Sequence, residues 1–153
     1  MATKVFSLIL NYNNQVDTVE AARSLLASDI PSSTQLVIID NSGVDQKKYF
    51  NAQFKNVVYI SSIGNVGFAA GNNLGINYAL KHGATHILLF NPDVRVPKVF
   101  LKPLLNTFKL HKNAGIVAPA HKEPGSLTCG LGGSINWDNC TFPLTNTNKL
   151  PNK

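Results

Sequence analysis

The sequence is short of cysteine, of acidic residues and of long apolar runs. Two cysteines in 153 residues, Cys129 and Cys140, exclude a fold built on disulfides. No Cys/His spacing suits zinc: His82 and His86 enclose Gly83 without a His-Glu-x-x-His pattern, and His111 and His121 stand alone. No stretch approaches the ~20 apolar residues of a membrane-spanning helix. The longest runs, such as Ile87-Leu88-Leu89-Phe90, have the length of strands. Residues 1–10 show no small-residue cleavage site, so no secretory signal is predicted and the cytoplasm is the expected location.

What is present suits one compact domain. Hydrophobic residues make up 44% of the chain, enough for a globular core, while 14 basic residues against 8 acidic ones give a net charge of +6. That excess favours anionic partners. It is scattered, however: Lys47-Lys48 is the one adjacent pair, and Lys98, Lys102, Lys109 and Lys112 have the spacing of a solvated helix face. Without interleaved aromatic and basic residues, nucleic acid is not an expected partner.

Apolar runs alternate with helix-period segments. Strands are predicted at residues 5–10, 36–39, 57–60, 87–90 and 115–118. Between them, Val16, Val19, Ala22, Leu25 and Leu26 recur at helical spacing behind a capping Asn13-Asn14 pair. A short polar helix is predicted at about residues 46–54 and a longer one at about 68–81, ended by Gly83. Pro103 suits the first turn of a helix carrying Leu104, Leu105 and Phe108. Such alternation predicts a parallel sheet flanked by helices. After Pro119, glycine, proline, asparagine and threonine dominate. Residues 121–153 therefore read as irregular structure, frayed after about Thr145, beside an α/β domain over residues 1–120.

Ligands of open parallel sheets bind beyond the carboxyl ends of the strands. Those ends carry Asn11-Tyr12-Asn13, Asp40-Asn41-Ser42, Ser61-Ser62 with the loop Gly64-Asn65-Val66-Gly67, and Asn91-Pro92-Asp93. Two of the six aspartates directly follow buried strands. Asp40 is placed to accept from a nucleobase N–H or ribose hydroxyls, Tyr12 to stack on a base, and Asp93 to hold Mg²⁺ or Mn²⁺ beside a diphosphate. Each is also an ordinary turn residue, and only the set points to a site. Gly67, Gly71 and Gly75, continued by Ala79, recur every four residues. On a helix they make a ridge bare of side chains, for close packing against the sheet or close approach of a ligand. Asn65, Asn72 and Asn73 add amide donors nearby.

These blocks, in order and over about residues 4–120, resemble family 2 glycosyltransferases: Ser7-Leu8-Ile9-Leu10-Asn11-Tyr12-Asn13, Val37-Ile38-Ile39-Asp40-Asn41-Ser42, Gly64-Asn65-Val66-Gly67-Phe68-Ala69-Ala70-Gly71-Asn72-Asn73-Leu74-Gly75-Ile76, and Leu88-Leu89-Phe90-Asn91-Pro92-Asp93-Val94. The rhamnosyltransferase-like branch is the most similar. The resemblance implies a Rossmann-like GT-A fold and a UDP-, dTDP- or GDP-linked sugar donor. It implies a Mg²⁺ or Mn²⁺ cofactor and inverting transfer to a hydroxyl of a glycan or lipid-linked acceptor during polysaccharide assembly, with peripheral contact at the inner membrane face. By the same resemblance Asn11, Tyr12 and Asn13 line the nucleotide pocket and Asp40 meets the base. Asn41, Asn65, Gly67, Asn73 and Asn91 belong to the nucleotide set, and Asp93 is the metal ligand. The family's DxD position here reads Asn91-Pro92-Asp93, with one carboxylate. Inverting members also use a carboxylate base in the acceptor half, and after Asp93 the only acidic residues are Glu123 and Asp138. Neither matches an acceptor-half motif, so the catalytic base is unassigned and that half reads as incomplete. The alternative expectation is a nucleotide-sugar-binding module without turnover.

Overall fold

A computed structural model of the chain describes residues 2–126, 129–141 and 143–147. Compact packing divides it into residues 1–103 and 104–153, earlier than the compositional change after Pro119. In the first unit β1 (Val5–Asn11), β2 (Gln35–Asp40), β3 (Val57–Ser61) and β4 (His86–Phe90) form one parallel sheet in the order β3-β2-β1-β4. The connecting helices are α1 (Gln15–Leu26), α2 (Lys47–Gln53) and α3 (Phe68–Lys81). The unit closes in the first turn of α4 (Leu101–Leu110), where Pro103 takes its expected place.

The strands at the centre are apolar on both faces because helices cover both faces. Phe6, Leu8, Val37 and Ile39 pack with Ala79 of α3. On the opposite face the alternating residues Val5, Ile9, Leu36 and Ile38 are buried, as are Val19, Ala22 and Leu25 of α1. The glycines of α3 serve packing: a Cβ on Gly75 would lie 2.7 Å from Ile39 Cδ1, and one on Gly71 2.7 Å from Leu10 Cδ1. Gly83 holds φ at +76° and ends α3, with Ala84 N–H donating to the Ala79 carbonyl in the manner of a Schellman cap.

Two expectations about local structure need correction. Residues 115–118 form no strand, and Ile116 is 91% exposed. An apolar run becomes a strand only when a neighbour pairs with it. Asn14 does sit at the N-cap of α1, but its side chain caps no backbone N–H; it donates instead to Asp17 Oδ2 at 2.9 Å. The second unit contains the antiparallel pair β5 (Cys129–Gly133) and β6 (Leu144–Thr147), irregular between Gly130 and Gly132. The fraying expected after Thr145 falls partly on β6, and residues 148–153 lie outside the described residues. Among the described residues no helix is long and apolar enough to cross a membrane.

Candidate functional site

Side-chain parity sorts the residues at the strand ends. Successive residues of a strand point to opposite faces. Leu10 lies on the α3 face, meeting Gly71, and Tyr12 and Asn41 continue that side past the strand ends. Asn11 and Asp40 fall on the α1 face, in register with each other. A cavity of about 390 Å³ opens on the α3 side. Its wall includes Tyr12, Asn41, Asn65, Phe68, Asn91 and Asp93. Four elements supply these groups, as an open parallel sheet requires at its carboxyl edge.

Asn41 builds one wall. Its Nδ2 donates to Asn65 Oδ1 at 3.1 Å and toward the Gly67 carbonyl at 3.4 Å, and its Oδ1 accepts from Val66 N–H and Ser62 Oγ, each at 3.1 Å. Those bonds engage the amide fully and fix the loop over residues 62–67. Gly67, with φ at +84°, turns that loop into α3 and donates its N–H to Asn65 Oδ1 at 3.0 Å. Asn65 Nδ2 then has no partner among the described residues, nor do the side chains of Asn91 and Asp93. Tyr12 is 50% and Phe68 61% exposed, so two aromatic surfaces border the same space.

Asn11 and Asp40, expected at the nucleotide, do not reach this cavity. Both are 0% exposed. Asn11 Nδ2 donates to Asp40 Oδ1 at 3.1 Å, and Asn11 Oδ1 accepts from Thr18 Oγ1 at 3.0 Å. Asp40 also accepts from Ser42 N–H at 3.1 Å and from the Tyr59 hydroxyl at 2.7 Å. Tyr59 in turn accepts from Gln46 N–H at 2.9 Å. Burial and the adjacent Asp40 carboxylate outweigh that donation and push the Tyr59 hydroxyl up to about 12. The cluster joins the starts of α1 and α2 to three strands.

Asn13, held left-handed at φ +52°, also points away and lines a second, wider concavity with Val16, Val44 and Tyr49. Asn73 is exposed on α3 outside the cavity wall. Asn72 is buried and donates to the Phe68 carbonyl at 3.0 Å. Four further residues complete the wall, Leu10, Asn14, Phe68 and Pro92, none of them expected from the sequence to meet a ligand. Phe68 stands at the predicted helix start, an aromatic beside the Gly64–Gly67 loop, and Pro92 stands between Asn91 and Asp93.

Among the described residues the wall carries one carboxylate, several amides and no basic side chain. Asp93 with the Asn91 amide oxygen is a donor set suited to a hard divalent cation, which commonly takes one or two carboxylates and completes its shell with water and phosphate oxygens. Among the described residues no group of three or more His, Cys, Asp or Glu forms a dedicated metal cage.

The sequence profile of Glycosyl transferase family 2 matches residues 8–132. A low-salt glycan biosynthesis hexosyltransferase, Agl10 of Haloferax volcanii, is 30% identical over 113 residues, 73% of this chain and 34% of that protein. The dTDP-rhamnosyl transferase RfbF of Shigella flexneri is 29% identical over 119 residues, 78% of this chain and 39% of that protein. The chain thus spans between a third and two fifths of these relatives. The crystal structure of S. aureus TarS 1–349 in complex with UDP shares the fold, with a TM-score of 0.61 at 19% identity, over 79% of this chain and 40% of that one.

Proposed function

Because the chain belongs to glycosyl transferase family 2, we propose that it carries the donor side of an enzyme moving a sugar from a nucleoside-diphosphate carrier to an acceptor hydroxyl. One observation carries this reading: a cavity at the carboxyl edge of a parallel sheet brings exposed aromatic rings, unpartnered amides and Asp93 together. Tyr12 and Phe68 offer flat apolar surfaces to a base. Asn65 Nδ2 and the Asn91 amide offer donors to ribose, base or phosphate oxygens.

Asp93, with Asn91, would hold Mg²⁺ or Mn²⁺, whose role when bound is to offset charge on the departing diphosphate. Asn41 and Gly67 shape the loop that presents Asn65. Asn11 and Asp40 act behind the cavity by fixing the loop after β1 and the turn after β2. UDP-, dTDP- and GDP-linked donors all fit this chemistry, and dTDP-rhamnose has support from RfbF. Transfer proceeds with inversion to a glycan or lipid-linked acceptor, at the cytoplasmic face where such acceptors are built.

A second reading has its own observation. Beyond Asp93 the only carboxylates are Glu123 and Asp138. A general base must reach the acceptor hydroxyl. If neither reaches it, the chain binds the donor without transferring the sugar unaided.

Calorimetric titration with UDP, dTDP, GDP and their sugars, with and without Mn²⁺, tests both. Micromolar binding that weakens at least tenfold on Asp93→Ala, with metal dependence lost, supports the donor site. Binding without sugar transfer or hydrolysis across an acceptor panel selects the second reading. No binding below millimolar, with Asp93→Ala indistinguishable from the parent, overturns both.

A further inference from the structure

Among the described residues the cavity wall contains Asp93 but no lysine, arginine or histidine. A diphosphate adds at least two negative charges to that space. One divalent cation would leave the wall carboxylate and the diphosphate short of balance, so a protein cation is wanted. Along the chain the nearest is Arg95, two residues past Asp93. Its side chain folds back toward the wall: one guanidinium nitrogen donates to the Pro92 carbonyl at 2.9 Å and the Val94 carbonyl at 3.0 Å. The other lies 3.3 Å from Asp17 Oδ1 in the first turn of α1. Asp17 Oδ2 accepts from Asn14 Nδ2 at 2.9 Å. Pro92 and Asn14 both line the cavity, so Pro92, Arg95, Asp17 and Asn14 form a continuous strap between the loop after β4 and the loop after β1.

The ion pair in this strap is weakly held. Its side chains are 41% and 46% exposed, and pairs so open to water hold each other little. Phosphate is a stronger claimant, because a guanidinium meets two of its oxygens with parallel charge-assisted bonds. We infer that Arg95 is the diphosphate-binding cation of the donor site, parked on Asp17 in the free protein and handed to the diphosphate when the donor binds. Asp17 is then a competitor that keeps the guanidinium beside the cavity. The inference rests on the donor reading above and extends it to two residues outside the cavity wall.

Titrations of the full chain at fixed Mn²⁺ separate the possibilities. The probes are the pairs UDP and uridine, dTDP and thymidine, GDP and guanosine, together with inorganic pyrophosphate. Arg95→Gln should weaken nucleoside diphosphates and pyrophosphate by about tenfold or more while leaving nucleosides within about twofold. Arg95→Lys, which keeps charge but not the fork, should fall between. Asp17→Asn should tighten the same anions by up to about fivefold. The double variant should match Arg95→Gln alone. Equal losses for nucleoside and diphosphate would make Arg95 a prop of the wall and overturn the inference, as would unchanged diphosphate binding in Arg95→Gln or weaker binding in Asp17→Asn. Pyrophosphate binding that depends on Arg95, without any nucleotide binding, would sink the donor reading and leave Arg95 standing. Nucleotide binding insensitive to Arg95 would do the reverse, and no binding of any anion would remove both.

Discussion

Asn11 and Asp40 face each other at the ends of neighbouring parallel strands, joined by a 3.1 Å bond from Nδ2 to Oδ1 with neither residue reaching solvent. Each completes the other: the Asn11 oxygen takes Thr18 while its nitrogen meets Asp40, whose second oxygen takes Tyr59. Removing one member leaves its buried partner one bond short. Asn11→Ala should therefore cost about 1–3 kcal/mol of folding stability, since Asp40 Oδ1 and the Thr18 hydroxyl each lose one buried bond and keep only those from Ser42 N–H and to the Asn14 carbonyl. Asp40→Asn should cost a similar amount, because an amide nitrogen cannot accept the Tyr59 proton or, with the amide turned over, the bonds from Asn11 Nδ2 and Ser42 N–H. Urea unfolding followed by circular dichroism measures both. A change within about 0.5 kcal/mol would mean the cluster is not closed against water.

Tyr59 gives the same cluster a signature in alkali. Its hydroxyl is pushed up to about 12 by burial and by the carboxylate it donates to. A raised folded-state value means that the stabilisation is whole below the ordinary tyrosine range near pH 10 and fades as pH climbs toward 12. Tyr59 should give a step about two pH units above the ordinary tyrosine range in a titration followed at 295 nm. Tyr59→Phe should delete that late step and no other. A parent protein without that late step would contradict the burial of this hydroxyl.

What the sequence disclosed and what it hid follow from the range of the causes. Periodicity is local, so α3 spans the predicted residues 68–81, and the runs containing Leu8, Val37 and Leu88 are strands. The set Asn11, Tyr12, Asp40 and Asn41 was legible as a group at strand ends. Its division was not, because parity depends on which face each strand turns to α1 or α3. Tyr12 and Asn41 therefore open on the cavity while Asn11 and Asp40 support it from behind. Contacts across long separations were hidden as well. Arg95 meets Asp17 from 78 residues away, and nothing near either residue announces it.

The two mid-helix glycines of α3 should respond differently to the same substitution. On Gly75 a methyl group would press on Ile39 at 2.7 Å and Leu8 at 3.1 Å, both fully buried and unable to yield. Overpacking of about 1–3 kcal/mol should exceed the roughly 0.5–1 kcal/mol that alanine gains in a helix, leaving Gly75→Ala destabilised. On Gly71 the methyl meets mainly the tip of Leu10, which borders the cavity and has room to turn. Gly71→Ala should remain within about 1 kcal/mol of the parent. It should also weaken ligand binding, because Leu10 yields into the cavity. Thermal melts combined with nucleotide titration test the contrast; the opposite ranking would mean that α3 shifts as a body.

Asp29 is the remaining long-range device, and acid should expose it. The first turn of α4 has no acidic residue of its own. Asp29, 72 residues before Leu101, accepts the N–H groups of Phe100 and Leu101 at 2.8 Å and of Lys102 at 3.3 Å. Burial opposes the charge, but these three donors and the nearby Lys102 outweigh it and hold the carboxyl below its usual range. A lowered folded-state value means that Asp29 contributes in full above the ordinary carboxylate range near pH 4 and loses its contribution as pH falls through the lower, folded-state value. Asp29→Asn keeps one acceptor oxygen but no charge at the helix start, so it should lose about 1 kcal/mol at neutral pH. The gap between parent and variant should stay level down to about pH 5 and close below pH 4. Urea midpoints taken across that range decide it: a gap independent of pH would assign the role of Asp29 to hydrogen-bond geometry alone, with no share for its charge.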